Sequence, residues 1–107
     1  MKRGEVWWVN FGPTVGGEVR AGRPAIIVSN NASNRHLNRV QVVPLTTSVV
    51  PLYPSEAQVT LRGARHKARA DQLTTVRKAR LENKLARLSR TEMRNLERAI
   101  KVQLELT

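Results

Sequence analysis

Two stretches of the chain carry side chains that could act together on a phosphodiester. Glu18, Arg20 and Arg23 lie in the glycine-rich residues 16–24, which run directly into the apolar residues 25–28. Pro24 biases Arg23 toward extended backbone, so its guanidinium is expected at the start of a strand. Thr46, with its neighbours 47 and 48, follows a second apolar run over residues 39–45. Two polar groups at strand ends therefore predict a phosphate site.

Cleavage of an RNA backbone without a metal needs three chemical roles. A base takes the proton of the 2′-hydroxyl, a cation or donor stabilises the phosphorane, and a further group protonates the departing 5′-oxygen. Glu18 could be the base, Arg23 could bind two phosphoryl oxygens, and Thr46 could donate a hydrogen bond. We predict these three as catalytic residues and leave the acid unassigned. The alternatives are a Glu18–Arg23 surface ion pair and threonines that only satisfy turn backbone groups.

Contacts to the rest of the substrate are expected from polar and aromatic residues near the same strand ends. Single-stranded RNA is recognised by stacking its bases and hydrogen-bonding their edges. The residues predicted to bind substrate are Phe11, Arg20, Pro24, Asn30, Asn31, Thr47, Ser48, Asp71 and Gln72, with Asn34 as a further candidate for base contacts.

The composition argues against metal or thiol chemistry. The chain has no cysteine, and its two histidines, His36 and His66, have no carboxylates at the sequence spacing typical of metal ligands. We expect both histidines to be structural or to contact RNA, and we expect no metal and no cofactor.

The charge balance points to a polyanionic partner. Nineteen basic residues against eight acidic ones give 107 residues a formal net charge of +11. Nucleic acid is the first expectation, and an anionic membrane or an acidic protein comes next. No apolar run approaches membrane-spanning length or resembles a signal peptide, so a soluble cytoplasmic protein without membrane association is expected.

The first two thirds of the chain have the pattern of short strands. We predict strands over residues 5–9, 23–29, 39–45 and 57–61, and one or two more within 66–76. Pro44 indicates an edge position or a bulge for the third of these. Trp7 and Trp8 should point to opposite faces of the first strand, so at most one belongs to the core. Short strands at this density indicate a small antiparallel barrel or sandwich.

The C-terminal part has a helical period. Ser89 and Glu92 form a capping-box pattern, and the helix is expected over roughly residues 90–106. Met93, Leu96, Ile100 and Leu104 share one face, which we expect to pack on the barrel. A shorter helix is predicted near residues 32–37. With no linker or repeat in the sequence, residues 1–107 are expected to form a single domain, mainly β within the α+β class.

Five short motifs occur in the order found in one known family. They are Arg-Gly-Glu-Val-Trp at 3–7, Gly-Pro-x-x-Gly-x-Glu at 12–18, Arg-Pro with a branched aliphatic run and Ser-Asn at 23–31, Val-Val-Pro-Leu-Thr-Thr within 42–48, and Ala-Asp-Gln at 70–72. Together they resemble the MazF/PemK family of toxin endoribonucleases over essentially the whole chain. Gly17 departs from the serine that members often carry before the glutamate.

The resemblance implies a specific fold and activity. The fold would be an SH3-like β-barrel with short helices and a C-terminal helix, assembled as a homodimer. The activity would be metal-independent, sequence-specific cleavage of single-stranded RNA, usually mRNA, to 2′,3′-cyclic phosphate and 5′-hydroxyl ends, which inhibits translation and growth. An acidic MazE-like antitoxin would hold the enzyme inactive. The family's arginine, threonine and loop glutamate correspond to Arg23, Thr46 and Glu18.

Two other functions stay open at this point. A CcdB-like toxin of the same fold would poison DNA gyrase by binding it, and a non-catalytic RNA-binding module would need only the positive charge. Neither requires Arg23 and Thr46 to meet in one groove. The position of these two side chains therefore separates a nuclease from both alternatives.

Overall fold

Strands dominate the part of the chain that the computed structural model describes, residues 1–12 and 22–106. The elements are β1 (Glu5–Val9), β2 (Arg23–Ile27), α1 (Asn31–His36), β3 (Arg39–Thr46), β4 (Glu56–Leu61), β5 (Ala64–Arg69), β6 (Thr74–Arg77), β7 (Leu81–Arg87) and α2 (Arg90–Leu104), with 3-10 turns at Ala70–Gln72 and Lys78–Arg80. The predicted mainly-β antiparallel fold with a C-terminal helix is confirmed. No helix among the described residues is long and apolar enough to cross a membrane.

The strands form one curled antiparallel sheet in the order β4-β5-β3-β2-β1-β7, with β6 also paired to β3. β3 is therefore an interior strand, and the edge position predicted from Pro44 is wrong. Residues 39–42 pair with β6 and residues 45–46 pair with β5. Pro44 falls in the interruption between these two partners, where the missing N–H of a proline is tolerated.

Apolar side chains cover both faces of the sheet. The larger cluster lies between the sheet and α2 and includes Val6, Ile26, Val43, Leu45 and Leu96. A smaller cluster on the opposite face includes Val9, Ala25, Ile27, Val42 and Leu81, with Trp7 and Phe11 packed against it. Alternate residues of β2 and β3 thus face different clusters, as the two-residue period of a strand requires. Trp7 packs in a core and Trp8 is exposed, as predicted.

The C-terminal helix begins and packs largely as its sequence predicts. Ser89 is the N-cap, and its side chain and that of Glu92 form the complete capping box. Leu96 is fully buried, and Met93 and Ile100 pack against the larger cluster. The prediction is wrong for Leu104, which is 52% exposed. The helix ends at this residue, beyond the surface of the sheet that its first turns cover.

Strand β7 has no counterpart among the predicted elements. Its sequence, Leu-Glu-Asn-Lys-Leu-Ala-Arg, does not alternate between apolar and polar residues. It forms a strand because it pairs with β1, and the pairing shifts register twice, between Val6 and Trp7 and between Trp8 and Val9. These irregularities let both Leu81 and Leu85 reach apolar clusters on different faces.

Glu5 is a buried carboxylate that joins β1 to its surroundings. Its Oε1 accepts hydrogen bonds from the Lys2 amide at 2.9 Å and the Trp7 indole at 3.0 Å, and its Oε2 lies 3.1 Å from Lys84 Nζ. Burial alone would raise the pKa of this carboxyl. The bonds from Trp7, Lys2 and Lys84 outweigh burial and lower the pKa from 4.5 to about 2. The folded state therefore favours the ionised form.

Replacing Glu5 with glutamine should destabilise the protein in a pH-dependent way. A carboxyl with a depressed pKa contributes stability above its unfolded value of 4.5, and the contribution is lost as the pH falls toward 2. We expect Glu5→Gln to cost on the order of 2 kcal/mol at pH 7 and progressively less between pH 4.5 and 2. Urea unfolding at several pH values across this range measures the difference in the free energy of unfolding between Glu5→Gln and wild type. The exposed Glu82 on β7 provides the control substitution Glu82→Gln; a gap between Glu5→Gln and wild type that does not change with pH would contradict the assignment.

Candidate active site

Arg23 is the first residue of β2, and its side chain lies on the face of the smaller apolar cluster. It pairs with Val9 across the β1–β2 ladder, and Ala25 and Ile27 follow it on the same face. The half-buried side chain makes no hydrogen bond or ion pair within the described residues. No described residue therefore occupies the guanidinium.

Thr46 ends β3 on the same face of the sheet. β2 and β3 pair with Ala25 opposite Pro44, and this register, continued by two residues, puts Arg23 opposite Thr46. Directly opposed residues in an antiparallel pair have Cβ atoms roughly 4.5–5.5 Å apart. The predicted guanidinium and hydroxyl thus come from neighbouring strand ends.

The hydroxyl of Thr46 is held in a definite role. Its Oγ1 accepts a hydrogen bond of 3.2 Å from the backbone amide of Ser48. Among the described residues this is its one hydrogen bond, so its single O–H proton stays available to donate. The residue is half-buried at the edge of a groove. Thr46 can therefore donate to an oxygen of a bound phosphate.

Arg23 lies in a cavity of about 520 Å³ that we call the Arg23 cavity. Its walls are formed by Asn10, Phe11, Arg23, Pro44, Gln72, Thr74, Thr75, Val76, Arg77 and Arg80. Among the described residues of this lining, three are arginines and none is a carboxylate, so these residues give the cavity a positive potential. Arginine presents a planar fork that matches phosphate oxygens. The cavity is therefore suited to a phosphate backbone.

Thr46 lies in a neighbouring cavity of about 390 Å³, which we call the Thr46 cavity. It is lined by Thr46, Ser48, Val50, Pro51, Tyr53, Ser55, Glu56, Lys67, Arg69 and Asp71. The two cavities adjoin at the 3-10 turn, since Asp71 lines one and Gln72 the other. We call these two adjoining cavities together the groove; Arg23 lines one of them and Thr46 the other.

A buried carboxylate, Glu56, holds one cation of the Thr46 cavity closely and a second one more loosely. Lys67 Nζ lies 2.9 Å from Glu56 Oε1, and Arg69 Nε lies 3.6 Å from Glu56 Oε2. Burial alone would raise the pKa of Glu56, but hydrogen bonds from the Tyr53 amide and Lys67, with the charge of Arg69, lower it below 4.5. Arg69 also lies 3.8 Å from Asp71, a longer contact that leaves its guanidinium only loosely held.

Gly22 and Pro24, on either side of Arg23, contact Trp8 rather than the groove. A Cβ on Gly22 would lie 2.2 Å from the Trp8 indole nitrogen, so any larger residue there would have to displace the Trp8 ring. Pro24 is paired with Trp8 and lies on the opposite face of β2 from Arg23. Pro24 was predicted to bind substrate, but the structure does not bring it into either cavity.

The asparagines predicted to contact bases lie at the other end of β2. Asn30 is seven residues from Arg23, roughly 20 Å along an extended chain. Its side chain caps α1 by accepting from the Ser33 amide at 2.8 Å. Asn31 Oδ1 accepts from the Arg3 amide at 2.8 Å, and the buried Asn34 bonds to the Ser29 carbonyl. These contacts give all three a structural role outside the groove.

The remaining predicted residues divide between the groove and the undescribed segment. Phe11 and Gln72 line the Arg23 cavity, and Ser48 and Asp71 line the Thr46 cavity. Thr47 is exposed beside them. Glu18 and Arg20 lie outside the described residues, and their predicted roles stay predictions.

Four basic residues of the groove were not singled out by sequence. They are Lys67, Arg69, Arg77 and Arg80. Thirteen of the nineteen basic residues lie between 62 and 101, but nothing local distinguishes these four from the rest. Their place depends on strand pairing, such as Lys67 opposite Thr46.

The described residues show no metal centre. Among them, no group of three or more histidine, cysteine, aspartate or glutamate residues could hold an ion. His66 is buried, and its Nδ1 lies 3.1 Å from the Ala64 carbonyl oxygen, which agrees with a structural role.

Comparison with known proteins identifies the family. The model of the PemK-like, MazF-like toxins of type II toxin–antitoxin systems matches residues 2–104. The chain belongs to this family. Endoribonuclease MazF9 of Mycobacterium tuberculosis is 34% identical over 115 residues, covering 99% of this chain and 98% of the relative. Endoribonuclease EndoA of Bacillus subtilis is 26% identical over 112 residues, covering 99% and 96%.

Two solved structures have the same fold as this chain. An endoribonuclease in complex with its cognate antitoxin, from a mycobacterial species, has a TM-score of 0.84 and 28% identity, covering 100% of this chain and 97% of that one. MazF from Deinococcus radiodurans has a TM-score of 0.82 at 24% identity, covering 98% and 96%, which shows the shared fold alone.

Proposed function

We propose that this chain is the toxin of a type II toxin–antitoxin pair and cleaves single-stranded RNA without a metal ion, producing 2′,3′-cyclic phosphate and 5′-hydroxyl ends. The observation that supports the proposal is the β2–β3 register, which, continued by two residues beyond Ala25 and Pro44, runs to Arg23 and Thr46; Arg23 also shares its cavity with two further arginines. A gyrase poison has no need of this pair, and RNA binding alone has no need of a hydroxyl beside the guanidinium.

The proposed reaction uses the two groups on one phosphate. The 2′-oxygen attacks phosphorus as its proton passes to a base, and the bond to the 5′-oxygen breaks as that oxygen gains a proton. Arg23 neutralises charge on the non-bridging oxygens as it builds up in the phosphorane, and Thr46 donates a hydrogen bond to the same group. Glu18 is our candidate base. Arg23 is a charge stabiliser and not the acid, because a guanidinium does not deprotonate in proteins.

The groove also suits the proposed partners. An acidic antitoxin segment would compete with RNA for the Arg23 cavity, whose described lining includes three arginines. A homodimer would cover apolar side chains at the end of α2, where Val102 and Leu104 are half exposed. We propose the cytoplasm, where mRNA is translated, as the place of action.

Incubation with single-stranded RNA in excess EDTA tests the activity. We expect discrete fragments with cyclic phosphate and 5′-hydroxyl ends, and an acidic antitoxin segment should suppress them. Thr46→Val, which removes the hydroxyl at nearly constant volume, should slow cleavage about 100-fold, since one donor to the developing charge is lost. Thr46→Ser keeps the hydroxyl and should retain most of the activity.

Each other outcome assigns a different function. Intact RNA that stays bound to the wild-type protein would indicate a binding module, and inhibited gyrase supercoiling without RNA cleavage would indicate a gyrase poison. Cleavage that stops in EDTA and returns with a divalent cation would contradict the metal-independent reaction.

A further inference from the structure

Tyr53 is an exposed aromatic ring at the wall of the Thr46 cavity. The residue is 58% exposed, so burial does not explain an aromatic side chain here. Its backbone is nevertheless well fixed. The Tyr53 amide donates to Glu56 Oε1 at 2.9 Å, and the Glu56 amide donates to the Tyr53 carbonyl at 2.9 Å. The ring is thus held at the groove by a rigid turn.

A buried cation supports this ring from the protein side. Lys67 Nζ lies 5.7 Å from the centroid of the Tyr53 ring, within the range of a cation–π contact. The same Nζ donates to the Pro51 carbonyl at 2.7 Å and to Glu56 Oε1 at 2.9 Å, and the lysine side chain is only 7% exposed. Lys67 is therefore committed to the turn and to the ring, and it does not compete as a mobile phosphate ligand.

The Tyr53 ring shares its cavity with a cation and a hydroxyl, which can contact the phosphate of a nucleotide. Arg69, in the same cavity, has a buried Nε with no hydrogen-bond partner among the described residues, and it lies 3.6 Å from Glu56 and 3.8 Å from Asp71. The Thr46 hydroxyl lines the same wall. An aromatic face beside a loosely held guanidinium is the combination with which proteins bind single-stranded nucleic acid. A cavity of about 390 Å³ is large enough for a small ligand.

We propose that Tyr53 is a stacking platform for one base of the RNA, in the nucleotide next to the scissile phosphate. The inference rests on the proposed function, since it takes the Arg23–Thr46 pair as the place of cleavage. Tyr53 acts through the face of its ring. Its hydroxyl forms no hydrogen bond within the described part of the chain, so phenylalanine should replace it.

A cycle that combines enzyme variants with modified substrates tests the stack. Single-turnover cleavage of an RNA oligonucleotide with a mapped cleavage site gives a half-saturating concentration and a maximal rate for wild type, Tyr53→Ala and Tyr53→Phe. We expect Tyr53→Ala to raise the half-saturating concentration about 10-fold, as for loss of one base–aromatic stack. Tyr53→Phe should match wild type. Leu52→Ala is the matched control, because Leu52 is 51% exposed on the same loop but does not line the Thr46 cavity.

Abasic substrates identify the stacked base. One abasic nucleotide at a time is placed along the oligonucleotide. At one position next to the cleaved bond, the abasic site should raise the half-saturating concentration of the wild-type protein about 10-fold. The same abasic site should not raise that of Tyr53→Ala any further. The proposal would be overturned if the effects of Tyr53→Ala and of the abasic site were additive at every position. It would also be overturned if Tyr53→Ala had the half-saturating concentration of wild type.

The same cycle separates this inference from the proposed function. Equilibrium binding of an oligonucleotide with a 2′-deoxy group at the scissile position reports the stack without any cleavage. If nothing cleaves RNA but the binding cycle stays non-additive, the nuclease proposal fails and the stack survives. If Tyr53→Ala weakens only the binding of an antitoxin segment, or only the self-association seen in sedimentation, the ring contacts a protein and not RNA, and the inference is wrong.

Discussion

Arg23→Ala is expected to lower the maximal rate of RNA cleavage about 1,000-fold while the protein stays folded. The guanidinium can hold two phosphoryl oxygens, and its contribution grows as charge develops in the phosphorane, so its removal acts on the transition state. Ground-state RNA binding should fall far less, since Arg77 and Arg80 remain in the Arg23 cavity. Single-turnover kinetics with saturating enzyme measure the rate, and fluorescence anisotropy measures binding.

Arg77→Ala is the matched control for Arg23→Ala. Arg77 is an exposed arginine of the same cavity, but it lies on β6 and is not opposite Thr46. Its loss removes one phosphate contact, so we expect weaker binding with a smaller salt dependence and a nearly unchanged maximal rate. Arg23→Lys, which keeps the charge but not the planar fork, should fall between wild type and alanine. Equal losses in Arg23→Ala and Arg77→Ala would mean that the groove is only an electrostatic surface.

The sequence predicts the elements whose signals are local. The alternation in Glu56–Leu61, the apolar run before Thr46 and the capping box at Ser89 each lie within a few residues, and the structure contains β4, β3 and α2 at these places. Strand β7 was missed because its reason to be a strand is its partner β1, far away in the chain. Pairing with a distant strand does not show in the local alternation of apolar and polar residues.

The site was predictable to the extent that strand ends reveal it. Arg23 and Thr46 each carry a local signal, Arg-Pro before a buried strand and a hydroxyl after one, and the β2–β3 register brings these two ends together. Asn30 and Asn31 lie near the opposite end of β2, where Asn30 caps α1 and Asn31 accepts a hydrogen bond from the Arg3 amide. The strand end at which a residue lies decides whether it lines the groove or caps a helix. The amino-acid composition does not reveal which end that is.

The basic residues show the same limit. Charge alone predicts an anionic partner. The pairing of β5 decides which of its basic side chains are buried and which are exposed. Lys67 is buried under Tyr53, whereas Arg65 on the same strand is exposed. A net charge of +11 therefore describes the long-range attraction for RNA, and the register of the sheet decides which few cations touch it.

Leu96→Ala is expected to destabilise the fold by about 3 kcal/mol. Leu96 is fully buried where α2 packs on the larger apolar cluster, and truncation of a leucine in such a place removes transfer free energy and leaves a cavity. Urea unfolding followed by circular dichroism measures the free energy of unfolding. The groove lies on the opposite face of the sheet, so the cleavage rate of the remaining folded protein should not change.

Leu104→Ala on the same helix is the control. The sequence assigns Leu96 and Leu104 to one helical face, but Leu104 is 52% exposed at the end of α2. Its truncation should therefore change the free energy of unfolding by no more than about 0.5 kcal/mol at concentrations where sedimentation shows a monomer. An equal loss for both leucines would mean that the whole face is covered. Since the described chain leaves Leu104 uncovered, a second copy would then be its cover.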